Sequence, residues 1–230
     1  MRLVLFDVDG TLIDCDGQTR APFEAALVEV FGTAGDIDHY EFSGRTDARI
    51  AYDLATGAGV SSVDAFGGLG RVRDRYVEGL ARTLDARRVR LLPAVVDRLE
   101  ALAARDDVAL GLLTGNWERG AAIKLGVHRL ERYFRFGAFG DDRLDREELP
   151  PIALERAARC LGAEFSPEET LIVGDSLLDV ACARAHGIRC LAVATGWTPA
   201  ESLLAAGPDR LVADLSDAAA EEALLGGLAP

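Results

Sequence analysis

Four short apolar runs, each closed by a polar turn, constrain this chain more than any other feature. Leu3–Phe6 ends in Asp7, and Val108–Leu113 ends in Thr114-Gly115-Asn116. Leu171–Val173 ends in Gly174-Asp175, Cys190–Val193 is followed by Thr195-Gly196, and Leu211-Val212 is a weaker fifth run. Continuous apolar runs of this length mark strands buried on both faces, the condition of a parallel sheet. Helical periodicity fills the intervals over Pro93–Ala104, Arg119–Leu125, Ile152–Leu161 and Leu177–His186. Strands alternating with such helices predict an α/β fold, a doubly wound parallel sheet with helices on both faces.

One interval breaks the alternation. From Cys15 to Arg90 the sequence reads as wholly helical, with candidate helices at Ala21–Phe31, Asp47–Ala55 and Arg71–Leu84. Gly57-Ala58-Gly59 and Gly67-Gly68-Leu69-Gly70 read as the breaks between them. An insertion directly after the first strand would lie above the carboxyl ends of the sheet, where open α/β sheets bind ligands. The expected division is therefore a catalytic core of residues 1–14 and 91–230 and a helical cap of residues 15–90. The Ala- and Glu-rich tail from Asp214 onward reads as a closing helix.

With 49% hydrophobic and 27% charged residues, the chain can fill a globular core. A net charge of -13 disfavours nucleic acid and anionic membranes as partners. An anionic small molecule is still allowed, provided that its site supplies local positive charge. Cys15, Cys160, Cys182 and Cys190 form no CxxC pair and read as reduced thiols. Neither a leader nor a long apolar span is legible, so a cytoplasmic protein is the expectation. His39, His128 and His186 have no spacing that suggests a metal site or triad, and read as surface or helix-end residues.

The strand ends carry the chemistry. Asp7-Val8-Asp9-Gly10-Thr11 sets two carboxylates at i and i+2 after the first strand. The first can attack phosphorus, and the second can protonate a leaving oxygen and later deprotonate water. Gly10 would let the chain turn and leave backbone N–H groups free for phosphate oxygens. A strand ending in a plain polar turn reads the same way. Thr114 offers a hydroxyl to a transferring phosphoryl group, and a simple turn at Gly115-Asn116 is the competing reading. In Gly174-Asp175-Ser176-Leu177-Leu178-Asp179 the two acids share a helix face and suit magnesium, although an acidic helix start looks alike. Taken in order, however, all three turns would reach the same carboxyl edge of one parallel sheet.

With this ordered set the chain resembles the haloacid dehalogenase-like superfamily over nearly its whole length. The resemblance is to its phosphatases with a helical cap after the first motif, phosphoglycolate phosphatase-like. It implies a Rossmann-like core and a Mg2+-dependent phosphatase acting on a small phosphorylated metabolite, as monomer or homodimer. By the same resemblance Asp7 is the nucleophile, Asp9 the general acid/base and Thr114 the hydroxyl of the second motif. Mg2+ would be held by Asp7, Asp9 through its backbone carbonyl, and Asp175, with Asp179 beside them. Gly10, Thr11, Gly115 and Asn116 would surround the phosphate.

The family's third motif usually supplies a lysine, and the stretch Asp141–Pro151 has none. Arg146, just ahead of Leu149-Pro150-Pro151 and at a spacing from Thr114 similar to the family's, is the first candidate for that charge. Lys124, the sole lysine, is the second candidate, and a solvated surface lysine is its plainer reading. In Ser43-Gly44-Arg45-Thr46-Asp47, Arg45 could meet an anionic part of the substrate, or the segment could simply cap a helix. Asp9 argues against a dehalogenase or a phosphonate hydrolase. A phosphomutase, or a catalytically silent binding protein on the same fold, stays open.

Overall fold

The computed structural model describes residues 1–225. The strands are β1 (Arg2–Phe6), β2 (Ile13–Asp14), β3 (Arg90–Leu91), β4 (Val108–Leu113), β5 (Gly137–Ala138), β6 (Thr170–Gly174), β7 (Arg189–Val193) and β8 (Arg210–Val212). The α-helices are α1 (Arg20–Phe31), α2 (Asp47–Gly57), α3 (Ser62–Thr83), α4 (Val95–Ala103), α5 (Glu118–Gly126), α6 (Leu149–Leu161), α7 (Leu177–Ala185), α8 (Ala200–Ala206) and α9 (Ala218–Leu225). The end of the expected tail, 226–230, lies outside the described residues. None of the described helices is long and apolar enough to cross a membrane.

Six strands form one parallel sheet in the order β5-β4-β1-β6-β7-β8. Alternate residues of the same strand feed opposite cores, as the two-residue period of a strand requires. Val4, Phe6, Leu112, Val173 and Val193 pack with Leu99, Leu125 and Leu224 on one face. Leu3, Leu5, Leu113, Ile172 and Ala192 pack with Leu149, Ala153, Val180 and Leu203 on the other. The sheet is thus doubly wound. Its connections diverge at β1, which has β4 on one side and β6 on the other. Such a switch point opens a crevice at the carboxyl ends of the strands.

The segment between β1 and β4 departs from the wholly helical expectation. It is entered and left through a small antiparallel ribbon, in which Ile13 pairs with Leu91 and Asp14 with Arg90. The glycines at 67, 68 and 70 do not break a helix, since α3 runs through all three. Glycine lowers helix propensity by only about 1 kcal/mol, which tertiary packing overrides. Gly68 has a packing reason, because a Cβ there would overlap the Phe31 ring. Together α1, α2 and α3 enclose Phe23, Leu27, Leu54, Val72, Tyr76 and Leu80, and Trp117 joins this cluster from the loop after β4. Phe23 stacks on Trp117 at 5.8 Å, and Tyr76 meets Trp117 at 5.7 Å.

Candidate active site

Asp7 follows β1 at the switch point, and its N–H continues the ladder to Val173 O at 2.9 Å. The next turn folds tightly on itself. Gly10 adopts φ 77°, and its N–H donates to Ile13 O at 2.9 Å, while the Thr11 N–H donates to Val8 O at 3.4 Å. The turn itself therefore uses these two amides, and backbone N–H groups for a phosphate would have to come from other residues of the turn. Both residues instead serve Asp175. The Thr11 hydroxyl donates to Asp175 Oδ1 at 3.1 Å, and a Cβ at position 10 would come within 2.5 Å of Asp175 Oδ2. A Cβ at Gly196 would overlap the same carboxylate. Thr195, the preceding residue, donates to Gly10 O at 2.5 Å.

Asp175 follows β6, and Ser176 caps α7 by accepting from Asp179 N–H at 3.2 Å. Asp7, Asp175 and Asp179 each present an oxygen within 4.8 Å of the others, all three buried. Arg146, itself 4% exposed, donates from Nη2 to Asp179 Oδ1 at 2.5 Å and lies 3.1 Å from Asp7 Oδ1. It also donates to Leu113 O at 3.2 Å and to Gly44 O at 3.0 Å. The other Asp179 oxygen accepts from the Ser176 N–H at 3.0 Å and from its hydroxyl at 2.6 Å.

Three buried carboxylates against one guanidinium leave excess negative charge in a poorly solvated place. Burial pushes Asp7 up to about 6, against the pull of Arg146 and the Thr114 hydroxyl. Asp175 is raised well above the usual carboxylate range by burial first, and then by Asp7 and Asp179. An all-oxygen donor set with surplus charge is what a hard divalent cation such as Mg2+ requires. The residues therefore fit the metal that the acid pattern implies.

Asp9 is held by different groups. Lys124 Nζ on α5 donates to Asp9 Oδ2 at 2.6 Å and to Asn116 Oδ1 at 2.5 Å. Asn116 Nδ2 donates to the same Asp9 oxygen at 2.9 Å and to Thr114 Oγ1 at 2.8 Å. Lys124 is no solvated surface residue, since only 4% of its side chain is exposed. The cost of desolvating the ammonium is offset by Asp9 and the charges around it, which hold it protonated well above the usual lysine range.

The segment Ser43–Asp47 closes over this edge. Thr46 caps α2 by accepting from Arg49 N–H at 3.0 Å, and its hydroxyl donates to Leu144 O at 2.6 Å. Asp47 N–H donates to Gly115 O at 2.7 Å, and Asp47 Oδ2 accepts from the Trp117 N–H at 2.9 Å. Gly115 lies so close to this segment that a Cβ there would overlap Arg45 O. Of the two readings of this segment the helix cap is the one seen, and the Arg45 side chain is engaged within the helical segment. Its Nε donates to Glu41 O at 3.1 Å, its guanidinium stands 5.6 Å from the Tyr40 ring centre, and Nη1 lies 4.0 Å from Asp53. The sequence reading missed Ser176, Thr195 and Gly196 around Asp175; the Thr-Gly after Cys190–Val193 was the available signal.

Comparison with known proteins places the fold in a family. A model of the haloacid dehalogenase-like hydrolase family matches residues 4–193. Phosphoglycolate phosphatase 1 of Pseudomonas aeruginosa is 30% identical over 221 residues, covering 94% of this chain and 78% of that protein. A predicted phosphoglycolate phosphatase from Haemophilus somnus superposes with a TM-score of 0.67 at 22% identity, covering 94% of this chain and 96% of its own. CbbY from Rhodobacter sphaeroides, solved in complex with phosphate, gives a TM-score of 0.65 at 20% identity over 99% of each chain. The chain belongs to the haloacid dehalogenase-like hydrolase family.

Proposed function

We propose that this hydrolase is a Mg2+-dependent phosphatase that cleaves a small phosphate monoester through an aspartyl phosphate on Asp7, with phosphoglycolate as the first substrate to try. The family match and the phosphatase relatives support the class, a phosphoric monoester hydrolase. The single observation that carries the mechanism is the meeting of Asp7, Asp175 and Arg146 at the switch point of the sheet.

A carboxylate oxygen of Asp7 forms a bond to phosphorus as the ester P–O bond breaks. Asp9, as the acid, gives its proton to the departing alkoxide. In the second step Asp9, now a carboxylate, takes a proton from water. The water oxygen bonds to phosphorus, the bond to Asp7 breaks, and inorganic phosphate leaves. Arg146 and Thr114 offer donors to the transferring oxygens, where positioned charge favours the transition state. Asp7, Asp175 and the Asp9 carbonyl would hold Mg2+, which when bound neutralises charge on the phosphoryl oxygens. Asp179 stands behind them, its oxygens carrying Arg146 and Ser176, and so positions the guanidinium. The helical segment 15–90 acts as the cap, and the docking of Ser43–Asp47 excludes bulk water while the phosphoryl group moves to Asp7.

The test is phosphate release from p-nitrophenyl phosphate, phosphoglycolate and sugar phosphates, with and without Mg2+. Metal-dependent release that Asp7→Asn abolishes is the expected result. Transfer of the phosphoryl group to a second sugar hydroxyl in place of water would move the reading to a mutase.

A further inference from the structure

We propose that Lys124 is a positioning residue for Asp9: it clamps one oxygen of that carboxylate to the second strand's turn and leaves the other for substrate and water. This rests on the phosphatase reading above and assigns the sole lysine a task separate from that of Arg146.

The two buried cations of the site serve different acids. Arg146 reaches Asp7 and Asp179, and Lys124 reaches Asp9. Both nitrogen donors to Asp9, Lys124 Nζ at 2.6 Å and Asn116 Nδ2 at 2.9 Å, fall on Oδ2. Among the described residues no nitrogen donor reaches Oδ1. Asp9 is also the open member of its pair, with 41% of its side chain exposed against 4% for Lys124. The carboxylate is thus gripped by both nitrogen donors at Oδ2, with the buried Cys15 thiol also bonded to it, while part of the side chain stays open to solvent. Lys124 also donates to Asn116 Oδ1, and Asn116 donates to Thr114 Oγ1. Lysine, asparagine and threonine therefore form one chain that fixes Asp9 relative to the end of β4. Proton transfer to a leaving oxygen needs hydrogen-bond reach and a defined direction, which a side chain open on one face does not keep unaided.

The test compares two esters in a single turnover. An alkyl phosphate such as phosphoglycolate needs a proton on its leaving oxygen, whereas p-nitrophenolate leaves without one. Lys124→Met should slow the first turnover of phosphoglycolate by about 100-fold, the scale of general acid catalysis. It should slow p-nitrophenolate release far less and leave KM nearly unchanged. In an Asp9→Asn background the same substitution should cost nothing further, because a residue acting only through Asp9 has nothing left to act on. Equal slowing of both esters, or an added loss in the Asp9→Asn background, would overturn the proposal and make Lys124 a direct phosphate ligand. A raised KM at unchanged kcat would do the same. If Lys124→Met does not fold, Lys124→Gln, which stays polar in the buried site, is measured in the same arms. A folded wild-type protein inactive on both esters would instead overturn the phosphatase reading itself, before any variant is compared.

Discussion

Arg146 lies 3.1 Å from Asp7, with both side chains buried, and this contact ties the carboxylate at the end of β1 to a short 3-10 turn that the chain reaches only after β5, just ahead of α6. The same guanidinium reaches Gly44 O in the helical segment. Arg146→Met should lower kcat by about 100- to 1000-fold, the usual cost of removing a transition-state donor. It should also destabilise the fold by about 3–5 kcal/mol, because Asp7 and Asp179 lose their buried partner. Arg146→Lys should recover part of each, since a single ammonium cannot span all the acceptors that the fork reaches. Steady-state kinetics and urea melts of both variants check this.

Divalent metal should stabilise the protein in a pH-dependent way. Asp7 is raised to about 6 and Asp175 is raised as well. A carboxyl whose folded value lies above its unfolded one favours the fold most at low pH, and that contribution is lost as pH rises through the folded value. The metal-free protein should therefore lose stability as pH climbs through about 6, where bound Mg2+ offsets the buried negative charge. The rise in Tm on adding Mg2+ should be small near pH 5 and large near pH 8, and Asp175→Asn should remove most of it. At a hundredfold excess over Kd the gain is about 2.7 kcal/mol. Thermal melts at the two pH values, with and without metal, measure it.

Asp47 offers a second pH signal at the contact between helical segment and sheet. Desolvation raises its carboxyl to about 7, with Lys124 and the Trp117 N–H opposing the rise. Its contribution to stability is greatest below 3.8, the ordinary value, and is lost as pH rises through about 7. Asp47→Asn keeps an oxygen for the Trp117 N–H and removes the titration. The variant should gain on the wild type steadily between those limits in chemical denaturation, and a constant difference across the range would contradict this origin.

Gly115→Ala addresses the docking of the helical segment on the sheet. The added methyl would overlap Arg45 O, so the Ser43–Asp47 segment must lift. The core beneath, Leu113 and Leu112 included, is untouched. We expect a Tm close to wild type, a kcat at least about tenfold lower through loss of water exclusion, and a Trp117 emission shifted by exposure. Kinetics and intrinsic fluorescence of one preparation decide it.

Much of this was legible in the chain because chemistry sits at the ends of strands. Asp7, Thr114 and Asp175 each follow an apolar run that becomes β1, β4 or β6, and a parallel sheet delivers such residues to one edge. Arg146 could be read from the proline-marked start of α6. Lys124 stood only as a second candidate for the same charge, because its partner Asp9 lies 115 residues away and nothing in a helix pattern encodes that contact. Local propensity misled at Gly67–Gly70, where packing on Phe31 carries α3 through. Gly137–Ala138 was missed because an edge strand of two residues leaves no periodicity. The Arg45 direction depends on Tyr40 and Asp53, partners set by the folding of the loop before α2.

The most direct test of the central claim is to look for the phosphoryl group on Asp7. Asp9→Asn, which should slow hydrolysis of the intermediate, is mixed with p-nitrophenyl phosphate and Mg2+, quenched in acid within the first turnover and mapped by peptide mass spectrometry. The account predicts one phosphoryl group on the peptide that begins the chain, absent when Asp7→Asn is added or Mg2+ is withheld. Release of p-nitrophenolate with no phosphoryl group on Asp7 would contradict it, and would assign the bond-breaking step to direct attack by water.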